Sequence, residues 1–204
     1  MIESKSDIVN HITRRDFLTG VAGAGTLLSM PFDIVNKQAA AAERRRMKIC
    51  IFSKHLQWLD YKDMAQTAAE IGFDGVDLTV RPRGHVLPER AKDDLPRAVE
   101  AVKNAGLTVP MMTTRITDPH DRYTRDILET AAELGIRHYR IGSIQYKKDK
   151  SIPAQLAELK PKFRDLAALS KEYNLHGAFQ NHSGSSYVGA SIWDIWELIK
   201  ELDP

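Results

Sequence analysis

Cysteine is almost missing from this chain: 204 residues carry one, Cys50. A single thiol cannot build an internal disulfide framework, so the fold must be held by packing. Cys50 lies in the apolar run Lys48-Ile49-Cys50-Ile51-Phe52 and reads as a small buried core residue. No activating base or open approach beside it marks a nucleophile. Charge of one sign is missing too. The 29 lysines and arginines face 27 acids, for a net charge of +2, and the two signs are interleaved. No basic stripe tracks a phosphate backbone, which argues against nucleic acid as a partner. The stretch from Gly20 to Phe32 is uncharged, but too short and too rich in glycine to span a bilayer. What is present, 43% hydrophobic and 27% charged residues, suits one soluble domain, or a signal followed by part of a larger domain.

The N-terminus reads as an address. Thr13-Arg14-Arg15-Asp16-Phe17-Leu18 matches the twin-arginine pattern. The uncharged Gly20–Phe32 stretch follows, and Ala39 to Ala42 then offers the small residues of a signal-peptidase site. The expectation is a twin-arginine signal peptide over 1–42, cut near Ala41 or Ala42. The Tat translocase would be the partner in export and the periplasm the destination. An uncleaved membrane tether is the alternative, and an ordinary amphipathic helix is the bland one.

From Met47 one pattern recurs: a short apolar strand, a polar loop, an amphipathic helix, and a glycine or asparagine stop. The stops sit in Ile71-Gly72-Phe73, Ala105-Gly106-Leu107, Leu134-Gly135-Ile136 and Tyr173-Asn174-Leu175. Each places a residue tolerant of the left-handed conformation just past a helix, and an apolar residue follows at once. The spacing of about 30 to 40 residues is that of a βαβ unit. The pattern predicts strands over 47–53, 75–80, 107–113, 137–142 and 176–180. It predicts helices over 61–71, 93–105, 121–134, 153–173 and 191–202. In the fourth helix Leu156, Leu159, Phe163, Leu166 and Leu169 form one face. Strict alternation means a parallel sheet covered by helices, either an open doubly wound sheet or a (β/α)8 barrel. The first strand runs into Ser53-Lys54-His55-Leu56-Gln57-Trp58 rather than a Gly-x-Gly-x-x-Gly turn, which disfavours the dinucleotide-binding open sheet.

Polar groups collect after the strands, where a barrel builds its site. They are Ser53, Lys54, His55 and Trp58; then Thr79, Arg81, Arg83, His85 and Glu89; then Thr113, Thr114 and Arg115; then Arg140 and Gln145; and finally Gln180, Asn181 and His182. Each has a plain alternative: loop histidines, solvated arginines, a rim tryptophan. Asp77 lies mid-strand and either enters the mouth or pairs with an arginine at the helix layer. Trp193 and Trp196 read as core residues of the last helix. Gln180-Asn181-His182-Ser183-Gly184 is the most site-like run, since four polar groups and a glycine end an apolar strand.

Ile49-Cys50-Ile51-Phe52-Ser53-Lys54, Gly72-Phe73-Asp74-Gly75-Val76-Asp77-Leu78 and Gln180-Asn181-His182-Ser183-Gly184 resemble the xylose isomerase-like TIM-barrel superfamily, most closely its sugar phosphate isomerase/epimerase branch. The resemblance covers 47–204. It implies a (β/α)8 barrel, of which the chain holds about the first five βα units. It also implies a divalent metal, manganese or magnesium, and isomerisation or epimerisation of a sugar or sugar derivative by proton transfer between adjacent carbons. Relatives carry a metal-binding carboxylate at the end of strand five, where this chain has Gln180. An amide oxygen can ligate but is a poor proton acceptor. Gln180 is thus the expected ligand or substrate donor. His182 is expected to touch substrate or support the site. Lys54, His55, Trp58, Arg81, Arg140 and Asn181 are expected to hold hydroxyls or an anionic group. The remaining metal ligands are expected beyond Pro204, since strand six should begin there, so a longer chain or pairing with another copy is anticipated. The rival reading is a non-catalytic carbohydrate-binding protein on the same barrel, or an inactive truncated product.

Overall fold

A computed structural model describes residues 47–202. The expected signal segment, 1–42, lies outside the described residues. Five strands form one parallel sheet: β1 Cys50–Phe52, β2 Gly75–Val80, β3 Thr108–Thr114, β4 His138–Arg140 and β5 His176–Ala178. Five helices alternate with them: α1 Tyr61–Ile71, α2 Ala91–Asn104, α3 Thr124–Glu133, α4 Ile152–Glu172 and α5 Ile192–Ile199. Short 3-10 turns follow β1 and precede α2. No described helix is long and apolar enough to cross a membrane.

The spatial order of the strands is β1-β2-β3-β4-β5, the same as their order in sequence. A doubly wound sheet reverses direction at a switch point. This sheet never does, so each right-handed crossover advances it one strand further, as in a barrel.

Capping fixes the segment ends. Asp60 accepts from the Asp63 backbone N–H at 2.9 Å to open α1, and Ser151 caps α4 from the residue before a proline-containing first turn. All four expected stops are left-handed: Gly72 at φ 96°, Gly106 at 77°, Gly135 at 82° and Asn174 at 54°. In β3 the register shifts by one residue against β2, between Gly75 and Asp77, with Pro110 in the irregular stretch. Proline brings no N–H to the ladder, and a bulge is where its absence costs least.

Alternation divides the strand residues between two environments. Val76, Leu78, Val80, Met112, Tyr139 and Ile141 face the helices and are buried. They meet Met64, Ala68, Leu95, Val99, Val102, Leu128, Phe163 and Leu166 from α1 to α4 in one apolar core. On α4 four of the five expected face residues are buried, and Leu159 packs against the core partly exposed. Tyr139 Oη and Ser170 Oγ share a buried 2.8 Å hydrogen bond, and Ser170 also donates to the Leu166 carbonyl. This pins β4 to α4. Gly177 on β5 faces the same hydroxyl, and a Cβ there would lie 3.0 Å from it.

Two expectations fail. Trp193 and Trp196 are not core: they are 71% and 55% exposed. The apolar residues of α5 cover a wide arc opposite Asp194 and Glu197, wider than the side that packs inward, and only Ile195 and Leu198 of that arc are buried. Cys50 is only half-buried, because β1 is an outer strand of the sheet. Partial burial, with the Asp74 charge, pushes its thiol above the usual range, so it is no thiolate.

Candidate functional site

The other face of the sheet carries Phe52, Asp77, Thr79, Arg81, Thr113 and Arg140, and register sets them side by side. Phe52 stands opposite Asp77, Thr79 opposite Thr113, and Thr113 opposite Arg140. Asp77 belongs to this face. Both its carboxylate oxygens accept from Thr113 Oγ1, at 3.0 and 2.9 Å. Burial raises its pKa, while Thr113 and the charges of Arg140 and Arg81 act in the opposite sense.

Phe52 is a platform for two cations. The Arg81 guanidinium lies 5.5 Å and that of Arg140 5.9 Å from its ring centroid, within cation–π range. His55 meets the same ring edge-on at 5.9 Å. Burial, then the neighbouring charges of Arg140 and Arg115, push Arg81 below the usual arginine range. Arg140 also donates through Nη1 to Gln180 Oε1, joining the ends of strands four and five, while its buried Nε finds no hydrogen-bond partner.

The loop after β2 is built to hold Arg81. Gly84 N–H bonds the Arg81 carbonyl at 2.8 Å, Arg81 N–H bonds that of Val86, and Val86 N–H returns to Thr79. Arg83 takes φ 59° in this tight turn, and a Cβ on Gly84 would lie 2.9 Å from the carbonyl oxygens of both Arg81 and Thr79. The turn folds His85 back over the strand end. Its backbone N–H donates to Thr79 Oγ1 at 2.9 Å, and Thr79 N–H donates to the buried Ser53 Oγ at 2.9 Å. Burial lowers the His85 pKa. The carbonyls of Leu56 and Leu59 pull the other way, although neither makes a well-formed bond to Nε2.

The residues expected from sequence fall into two groups. Arg81, Arg140 and Gln180 converge around Phe52, with His55 at its edge. Lys54, Trp58, Asn181 and His182 are exposed around the rim. Trp58 is 76% exposed, and His182 lies 5.0 Å from the Tyr187 ring with Nδ1 2.9 Å from the Ser183 carbonyl. Phe52 is the residue that sequence reading missed. Its signal was parity: it ends β1 on the same face as Asp77. Among the described residues no three His, Cys, Asp or Glu side chains gather as a metal site. A separate groove of about 930 Å³ lies on the helix side, lined mainly by apolar residues such as Phe163, Leu166, Phe179, Ile195 and Trp196, and it holds none of these groups.

Residues 65–204 match the family model described as xylose isomerase-like TIM barrel. The chain belongs to that family. Among solved structures it is similar to a D-tagatose 3-epimerase-like protein, at 14% identity and a TM-score of 0.60, covering 78% of this chain and 62% of that one. It is likewise similar to 3-keto-D-glucoside 4-epimerase from E. coli, at 14% identity and a TM-score of 0.58, covering 76% of this chain and 64% of that one. At such identities the likeness is one of fold. The chain spans a little over three fifths of the length of these structures. No curated protein matches the sequence. The xylose isomerase-like assignment places the strand ends of β1 to β5 at the face where barrels of this kind carry their sites.

Proposed function

We propose that this xylose isomerase-like protein is an exported sugar isomerase or epimerase, moving a proton between adjacent carbons of a ketose or aldose. The observation that carries the reading is the Arg140–Gln180 pair beside Arg81 and Phe52, at the ends of successive barrel strands. Similarity in fold to two proteins whose names describe epimerases supports it. In this reading Gln180 and Arg140 orient substrate hydroxyls. Lys54, His55, Trp58, Asn181 and His182 supply contacts from the rim.

Manganese or magnesium is the cofactor that the resemblance implies, and bound there it would polarise a carbonyl oxygen. Gln180 offers one amide oxygen, but Arg140 aims its guanidinium at that oxygen. A guanidinium beside a metal ion is repulsive, so the described residues do not by themselves fit a metal centre. A metal-dependent form needs further ligands from outside them, and Arg140 turned away from Gln180. Binding without turnover is the second reading. It is favoured by Gln180 itself, an amide where the family resemblance leads one to expect a carboxylate. The twin-arginine motif supports export to the periplasm through the Tat translocase.

The deciding experiment incubates the full chain with a panel of ketoses and aldoses in deuterated water containing manganese, followed by NMR. Deuterium at the carbon beside the carbonyl, with a new epimer or isomer, is the expected result. Saturable sugar binding without deuterium incorporation would overturn the enzyme reading in favour of the binding one.

A further inference from the structure

Two imidazoles stand side by side at the ends of the strands away from the mouth. His138 opens β4, His176 opens β5, and the two are register partners. Their ring centroids lie 5.4 Å apart, with 24° between the planes. Tyr139 and Gly177 face the helices, so alternation turns both histidines to the opposite face, the one that carries Asp77 and Arg140. Both are exposed. Among the described residues neither ring has a hydrogen-bond or ion-pair partner.

Stacking alone would make this a modest cross-strand pair. The spacing suits something stronger. Two imidazoles that ligate one zinc ion at about 2.0–2.1 Å, at a tetrahedral angle, hold their ring centroids roughly 5 Å apart. Exposed rings can change rotamer, so one nitrogen of each can reach a common ion without moving the backbone. The neighbours on this face do not oppose a cation. Arg140 lies two residues further along β4, but its guanidinium is turned toward the mouth, over Phe52 and onto Gln180. Met111, the register partner of His138 on its other side, is uncharged. Imidazole nitrogen suits zinc, nickel or copper, and holds magnesium or manganese poorly.

We infer that His138 and His176 form a two-imidazole site for a divalent transition ion of the zinc, nickel and copper group, with water completing its shell. The ion bridges β4 and β5. All three residues of β5 are exposed, and its ladder to β4 is continued by the His176 N–H, which donates to the Arg137 carbonyl at 2.8 Å. An ion held from both strands clamps that ladder and stabilises the folded chain by its binding. The site is separate from the manganese or magnesium centre that the resemblance implies, and it does not depend on the sugar reading.

The test is calorimetric titration of the full chain with zinc chloride in a non-coordinating buffer, together with hydrogen exchange. Zinc should bind, and magnesium should not displace it. His138→Gln and His176→Gln should each weaken zinc about tenfold or more. The double variant should lose little beyond either single one, because one imidazole alone no longer chelates. Replacing His120, an exposed histidine of another loop, by Gln should change nothing. With zinc present, amide exchange should slow in 138–140 and 176–178 and stay unchanged in 75–80. Both histidines are exposed, so their replacement leaves the core intact, and the exchange measurement needs no variant. No binding of zinc, an affinity unaffected by either replacement, losses that simply add in the double variant, or exchange that is the same with and without zinc would each overturn the inference.

Discussion

His85 shows how a loop residue becomes part of the scaffold. Its backbone is tied to Thr79, and its ring is half-buried under the turn that carries Arg81. Burial holds its pKa below the ordinary value of 6.5. The unfolded chain therefore takes up a proton at this site before the folded one does, and stability is lost as the pH falls below about 6.5. Thermal melts between pH 8 and pH 5 should show that loss. His85→Gln should flatten the part of the slope that belongs to this ring, and an unchanged slope would mean that the ring is solvated. The sequence showed that His85 follows a strand, but it could not show the fold-back. That depends on the unusual backbone of Arg83 and the close approach at Gly84. Asp77 was equally ambiguous, since parity alone does not say which face of a parallel strand looks inward. Its bond to Thr113 resolves the question.

Among the elements, the joins were the most legible feature. A left-handed stop followed by an apolar residue is a local signal, and all four expected stops adopt that conformation. α1 and β2 have the bounds that the periodicity predicts. β1, β4 and β5 are shorter than predicted, with three residues each. Apolar character continues past the last ladder bond, so hydrophobicity overstates pairing. The contact between β4 and α4 was not legible, because a hydroxyl pair 31 residues apart leaves no pattern in either segment. Its energetic weight is testable. Ser170→Ala leaves the buried Tyr139 hydroxyl without its partner, at a cost of about 1–3 kcal/mol. Chemical denaturation should show that loss. Tyr139→Phe with Ser170→Ala should recover part of it, since neither hydroxyl is then left buried alone.

On the scale of the whole molecule, burial grades across the sheet. Five of the six residues of β2 are buried, whereas all three of β5 are exposed. Both faces of a strand must be covered for its amides to resist opening. Hydrogen exchange should therefore be slowest in 75–80 and in the helix-facing part of β3, and fastest among the strands in 176–178. Uniform protection across the five strands would contradict the gradient. The fold class was legible because strand–helix alternation, repeated five times, leaves few topologies. The missing Gly-x-Gly-x-x-Gly turn and the family resemblance chose the barrel over the open sheet, and the strand order agrees with that choice.

The division of labour between the two strand faces has a consequence for descent with modification. Residues that hold the fold together point to the helices, while Phe52, Asp77, Arg81, Arg140 and Gln180 each sit on a strand or just past its end, on the side away from that core. Each βα unit therefore contributes its own one or two groups to the mouth and can exchange them without disturbing its neighbours' packing. A lineage built in this way can try new ligands one loop at a time, and the arginines of this chain are one such set of choices.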